Sequence, residues 1–314
     1  MTTQTDDVQA VCSGSLLVSI PKSGTHLVLK LYGRAGYLQT GGAIKPSDDR
    51  LPREELKRNF LRNPPVAAIV DRFPELGPDV VFSLLAQQAK SEMMGARWEV
   101  EPAMREVWSE IRKLSDRSLF LPGLVVSTHV FPWQAASPRF LKGWGTTGAP
   151  YTVYNYRDPR AQLVSMIRFL VESAVVFDEH PSVQVYRPIL RSLGSMDRML
   201  SFAISDPEFP YRNVYRQNRW LLYHPNVLKL RFEDLVGEQG GGCRALQDAA
   251  VERWARFLAV DVPTEQLIEG LFGGTTTFHE GRTDSWRNVF EEHHLRAFER
   301  EFGDVLVDYG YAGD

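Results

Sequence analysis

Residues 15–31, SLLVSIPKSGTHLVLKL, leave a chain few choices. A short run rich in β-formers (Leu16, Leu17, Val18, Ile20) breaks at Pro21 and passes through Lys22-Ser23-Gly24-Thr25. Apolar residues then recur at helical spacing, at Leu27, Leu31 and their neighbours, so the stretch reads as strand, tight loop and helix. A loop that opens a helix just after a buried strand points several backbone N–H groups at one spot, at the positive end of the helix dipole. Lys22 adds a full positive charge. The pattern suits an anion, above all a phosphate. The plainer reading is a turn in which Gly24 supplies a free backbone and Lys22 is merely solvated.

The same alternation continues down the chain. Residues 123–128 (GLVVST) form a second apolar strand, ending in Thr128-His129. Tyr151–Tyr156 is a third, breaking at Arg157-Asp158-Pro159 ahead of a helix over 160–171, and 226–231 is a fourth, followed by Phe232-Glu233-Asp234-Leu235. Further helices are predicted over 79–94, 101–114, 137–142, 182–204, 211–223, 245–258, 265–271 and 291–302. Residues 40–65 and 273–288 read as loop-rich, with one short helical patch over 54–60. Trp98 and Trp108 fit the core better than a ligand box. Short strands alternating with helices predict a single three-layer α/β domain over 15–314, around a parallel sheet and behind a flexible segment 1–14. In such sheets ligands sit at the carboxyl ends of the strands.

The 314 residues, 43% of them hydrophobic, suffice for a sizeable core. A net charge of −3 argues against a protein whose business is coating nucleic acid or anionic lipid. Cys12 and Cys243 lie far apart, without metal-type spacing, and fit a reducing compartment. The polar, acidic first residues lack an apolar h-region, and no run approaches a membrane span. The expectation is a soluble cytoplasmic protein with neither nucleic acid nor membrane as partner.

Three strand ends therefore carry polar clusters: Pro21-Lys22-Ser23-Gly24-Thr25, Ser127-Thr128-His129, and Arg157-Asp158-Pro159-Arg160 with Ser165 in the helix that follows. Together they resemble the sulfotransferases that use 3′-phosphoadenosine 5′-phosphosulfate (PAPS). Pro21 to Leu27 (PKSGTHL) matches five positions of the family's P-K-S-G-T-T-W loop, which wraps the 5′-phosphosulfate. Ser127-Thr128-His129 stands at the family's K-T-H, whose histidine is the base. Arg157 and Ser165, eight apart with Pro159 in place, match the R-x-P-x-x-x-x-x-S pair that holds the 3′-phosphate. Phe232-Glu233-Asp234 is similar to a Y-E-D segment, and Phe278, Gly281, Trp286 and Arg287 echo a C-terminal F-x-x-G-x-x-G-x-W-[KR] loop.

The resemblance implies a P-loop-type fold and sulfuryl transfer from PAPS to an acceptor hydroxyl, with 3′,5′-bisphosphate (PAP) as product and no metal. His129 and Lys22 would be catalytic. The nucleotide would meet Lys22, Ser23, Gly24, Thr25, His26, Arg157, Ser165, Phe232, Gly281 and Arg282. Backbone N–H groups of residues 23–26 would hold the 5′-phosphate, and Lys22 would stabilise charge on the leaving oxygen. Departures stand beside these matches. Leu27 replaces the adenine-stacking tryptophan, Phe232 lacks the tyrosine hydroxyl, Ser127 replaces a lysine, and His279-Glu280 stands where R-K precedes glycine. Arg282 is placed to compensate.

Phe82, Met93, Met94, Phe177, Tyr186, Phe131 and Trp133 lean the acceptor toward a hydrophobic or aromatic small molecule. Glu291-Glu292-His293-His294 reads as a solvated helix face and Asp178-Glu179-His180 as loop surface. Glu233 and Asp234, as neighbours on a strand, point to opposite faces and read as structural. The family's C-terminal dimer motif is not evident after Trp286, which leaves the oligomeric state open. A P-loop kinase or NTPase would need Gly-Lys before Ser or Thr, a dipeptide this chain lacks. A non-catalytic nucleotide-binding protein on the same fold is the remaining alternative.

Overall fold

The computed structural model describes residues 14–40, 64–94, 102–114, 123–148, 150–173, 177–273 and 281–313. Its centre is a five-stranded parallel sheet of β1 (Ser15–Ser19), β2 (Leu38–Thr40), β3 (Leu124–Thr128), β4 (Tyr151–Tyr156) and β5 (Val227–Arg231), in the spatial order β2-β3-β1-β4-β5. Helices α1 (Thr25–Arg34), α2 (Pro64–Arg72), α3 (Gly77–Met94), α4 (Arg105–Lys113), α5 (Pro138–Thr147), α6 (Pro159–Glu172), α7 (Pro181–Leu193), α8 (Met196–Ser205), α9 (Arg244–Leu258) and α10 (Glu292–Tyr309) surround it. The α/β class with a parallel sheet flanked by helices is the one expected from the sequence.

Strand alternation builds the layers. Leu16, Val18 and Ile20 face one apolar cluster with Val126, Tyr154 and residues of α6, α8 and α10. Leu17, Val125, Val153 and Leu230 face the other, against α1 and α9 through Val28, Tyr32, Val251 and Trp254. A strand buried on both faces must be apolar throughout, and β1 is, apart from its two end serines. Among the described residues no helix is long and apolar enough to cross a membrane.

Several boundaries differ from the sequence expectation, each for a local reason. The edge strand β2 is too short to show a period. The helix expected over 182–204 is two helices, because Gly194 closes α7 in the left-handed region (φ 73°) and the Ser195 hydroxyl caps α8 by accepting from Arg198 N–H. The helix expected over 211–223 is two short turns, Val214–Asn218 and Trp220–Tyr223, preceded by Tyr211 at φ 63°. The last helix runs on to Tyr309 and stops at Gly310.

Phe232–Leu235 is a helical turn, so the strand argument for Glu233 and Asp234 does not apply. Glu233 is structural for another reason: its carboxylate accepts from Asp158 N–H (3.0 Å) and Tyr311 OH (2.8 Å), and burial raises its pKa. His294 is not on a solvated face but buried. Its Nδ1 accepts from Glu291 N–H (3.1 Å), while its Nε2 meets Asp197 O (3.0 Å) and Ser201 Oγ (3.2 Å), tying α10 to α8. Asp197, His293 and His294 bring ligand-type atoms within 4.8 Å of one another, and both nitrogens of His294 are engaged in this packing.

The order β2-β3-β1-β4-β5 places the ends of β3 and β4 on either side of the end of β1. Val18 pairs with Thr128 and Ser19 with Asn155. The three polar clusters therefore open at one place, where the chain switches from one side of β1 to the other.

Candidate active site

The loop after β1 is a rigid cradle. Ile20 N–H donates to Asn155 O (3.0 Å), and both the N–H and the hydroxyl of Ser23 donate back to Ile20 O (3.1 and 2.5 Å). Asn155, fully buried on β4, donates from Nδ2 to Ser23 O (2.9 Å), Ser23 Oγ (3.1 Å) and Ser19 Oγ (3.0 Å). A carbonyl can only accept, which fixes the amide's orientation. Ser19 Oγ also lies 2.7 Å from Thr25 Oγ1. The Ser23 N–H was expected to help hold the 5′-phosphate; it is donated to Ile20 O instead, and the fully buried Ser23 side chain builds the loop. The N–H groups of Thr25 and His26, in the first turn of α1, are left without intrahelical acceptors by helix geometry and are the donors available to an anion.

Lys22 and Gly24 both take left-handed backbone, at φ 67° and 84°. For lysine this stores strain of about 1–3 kcal/mol, the kind held at sites that over-determine it. At Gly24 a Cβ would lie 2.6 Å from Phe232 Cδ2. That ring is buried, with the Arg157 guanidinium stacked on it 4.3 Å from the centroid, so it has little room to give. Gly24→Ala should therefore lose about 2–4 kcal/mol of stability from backbone strain and overpacking together. Urea denaturation reads this directly, and an unchanged midpoint would show that the close contact does not exist in solution.

Helix α6 lies against the loop. Gln162 Nε2 donates to Pro21 O (3.0 Å), and Lys22 Nζ sits 4.7 Å over the Phe169 ring. Ser165, half-buried, is three residues from Gln162 and four from Phe169, so it shares the face that meets the loop. Burial, and secondarily the nearby Arg157, lower the Lys22 pKa to about 8.

Arg157, just past β4, is buried, and desolvation lowers its pKa. Its Nη1 donates weakly to Lys22 O (3.4 Å) and its Nη2 to Arg282 O, both neutral carbonyls. Its Nε is buried without a partner. Glu233 and Asp158 support its charge from nearby, and a guanidinium whose hydrogen bonds go to neutral carbonyls still has the chemistry to take an anion.

At the end of β3, His129 Nδ1 lies 2.8 Å from Ser19 O. The carbonyl must accept, so the proton of neutral His129 is on Nδ1 and the Nε2 lone pair is available. The backbone here is braced by the buried Asn218, which donates to His129 O (2.8 Å) and accepts from Phe131 N–H (3.1 Å). Tyr211 packs edge-on at 5.9 Å. His129 is exposed as a residue, yet its ring is crowded. Desolvation lowers its pKa, opposed by the Ser19 bond and aided by the nearby His180.

The remaining expected residues take mixed places. Phe232 is buried between Gly24 and Arg157, and acts as a wedge that positions both. Gly281 (φ 59°) and Arg282 lead a loop held by Thr283 N–H donating to Gly240 O (3.0 Å). It is the Arg282 carbonyl that meets Arg157, while its exposed side chain turns to Asp284 (3.5 Å). Phe278, His279 and Glu280 lie outside the described residues. Leu27 is buried in the α1–α9 layer beside Phe232.

Among the acceptor candidates, Phe131 and Met93 are core, and the Tyr186 hydroxyl donates to Glu208 O (2.6 Å) and Asp206 Oδ2 (3.1 Å). Trp133 is exposed, and Phe177 packs on Phe169 (5.3 Å) beneath Lys22. The side chains of Phe82 and Met94 lie outside the described set. Sequence reasoning missed Gln162, Phe169, Tyr211, Asn218 and the proximity of His180. It also missed Asn155, although a lone amide in an otherwise apolar-aromatic strand was a signal.

No protein-family model and no curated sequence matches the chain. Among solved structures, it is similar to the crystal structure of mouse sulfotransferase SULT7A1 complexed with PAP, with a TM-score of 0.52 and 13% identity over 95% of this chain and 87% of that one. A likeness at that identity speaks to architecture, and what it shows is a sulfotransferase-like fold.

Proposed function

We propose that this protein transfers a sulfuryl group from PAPS to a hydroxyl of a small, hydrophobic or aromatic acceptor. The observation that carries the reading is the pair of anion-directed features at one strand switch. One is the loop with Lys22 and the free N–H groups of α1; the other is the buried Arg157 with its unpartnered Nε. Two such features suit a ligand with phosphates at both ends of a nucleoside. In this reading Thr25 and His26 N–H hold the 5′-phosphate, and Arg157 with Ser165 holds the 3′-phosphate.

The acceptor oxygen forms its bond to sulfur as the bond from sulfur to the 5′-phosphate oxygen breaks. His129 Nε2 takes the hydroxyl proton, and Lys22 stabilises the negative charge left on the departing phosphate. Tyr211, Phe169 and Phe177 are the aromatic surfaces near His129 and Lys22 that favour an apolar acceptor.

Isothermal titration with PAP and with ATP tests the donor. PAP should bind at least tenfold more tightly, because only it presents a 3′-phosphate to Arg157. Equal affinities, or tight binding of ATP alone, would return the site to the kinase or NTPase reading.

A further inference from the structure

The proposed base and the proposed 3′-phosphate arginine follow different strands, β3 and β4, with β1 between them. One short helical turn, Val214–Asn218, reaches both. Tyr215 and Asn218 are buried and three residues apart, on one face of that turn. The Asn218 amide bridges the chain just after β3: Nδ2 donates to His129 O (2.8 Å) and Oδ1 accepts from Phe131 N–H (3.1 Å). On the other side, the Tyr215 hydroxyl donates to Arg157 O (2.9 Å). Helix α10 holds the turn from outside. Tyr309 OH donates to Tyr215 O (2.8 Å), and Arg212, Arg216 and Arg219 pair with Glu301, Asp304 and Asp308 (2.8, 2.7 and 2.8 Å). Single exposed ion pairs contribute little, but three matched along two elements, with Arg212 and Arg216 also over the Phe302 ring, fix where the turn sits.

That position matters for chemistry. His129 Nδ1 meets Ser19 O at 2.8 Å, which keeps the neutral ring's proton on Nδ1 and its lone pair on Nε2. Free imidazole side chains prefer the other form, with the proton on Nε2, so the basic atom depends on the backbone holding the ring to Ser19. We propose that the turn Val214–Asn218 is a positioning element for the transfer: Asn218 holds His129 in the form that leaves Nε2 free as base, and Tyr215 holds Arg157, so that one buried turn keeps base and donor in register across β1. The proposal rests on the donor reading above. Asn218 and Tyr215 each act through another residue's backbone, and each has its own readout.

Long-range ¹H–¹⁵N spectra at pH 8 report the His129 tautomer, its signals identified by their loss in His129→Ala. Isothermal titration with PAP reports donor affinity. Wild type should carry the proton on Nδ1. Asn218→Ala should move it to Nε2 and keep PAP affinity within about threefold. Tyr215→Phe should weaken PAP binding about three- to tenfold, the effect of one hydrogen bond, and leave the His129 tautomer in place. A turn with only a structural role would lower the melting temperature of both variants and move neither readout. An unmoved tautomer in Asn218→Ala, or unaltered PAP affinity in Tyr215→Phe, overturns the proposal and leaves the donor reading intact. So does a wild-type His129 protonated on Nε2, a measurement that needs no variant to fold. Failure of wild type to bind PAP overturns the donor reading and the proposal with it.

Discussion

Arg157→Met should weaken PAP binding about 10²–10⁴-fold while changing folding stability by less than about 1 kcal/mol. The affinity estimate comes from two lost charge-assisted hydrogen bonds of about 1.5–3 kcal/mol each. The small stability effect comes from the state of the free protein. Arg157 is buried, burial disfavours its charge more than the nearby Glu233 and Asp158 favour it, and its guanidinium donates to the neutral carbonyls of Lys22 and Arg282. Replacing such a charge by an apolar side chain of similar length is often neutral or stabilising. Methionine keeps packing on Phe232, so the wedge that supports Gly24 stays in place. A structural arginine would show the reverse pattern: a marked fall in melting temperature with unaltered PAP affinity. Arg157→Lys should recover little, since an ammonium cannot reproduce the planar fork.

His129→Ala should leave PAP affinity within about threefold and lower turnover by about 10²–10⁴, the usual range for loss of a positioned base. The ring contributes no donor to the anion loop, because its Nδ1–H is committed to Ser19 O and its Nε2 is the acceptor. The pH profile gives an independent check. His129 must be neutral to accept a proton, and its pKa lies below the ordinary value of 6.5, so wild-type kcat/KM should hold down to mildly acidic pH before falling. Lys22 must be charged, and its pKa is about 8, so kcat/KM should also fall above that pH. In His129→Ala the acidic limb due to this residue disappears and the basic limb remains. Undiminished turnover would remove His129 as the base.

Much of this site was legible along the chain because its parts are local. Pro21 to Thr25 announces a strand-to-helix loop through backbone constraints, and its glycine takes the left-handed backbone that such a loop needs. Arg157 and His129 stand immediately after strands, where an α/β sheet presents its ligands. Other assignments failed because they depended on partners far away in sequence. Ser23 reads as a phosphate contact until Asn155 and Ile20 are seen to hold it inside the loop. Phe131 reads as a pocket wall until Phe140, Trp144 and Trp220 close around it. Arg282 offers Arg157 a carbonyl instead of bringing its charge to the site.

The sequence by itself determined the strand, loop and helix at 15–31 and the apolar alternation that fills both faces of the sheet, since sterics and side-chain periodicity act over a few residues. Tertiary structure alone decided that β3 and β4 flank β1, and with that the convergence of Lys22, His129 and Arg157. It also decided that Phe232 would wedge between Gly24 and Arg157. The physical reason is range: strand order and burial are set by pairing and packing among residues 75 to 136 positions apart, which no local pattern encodes.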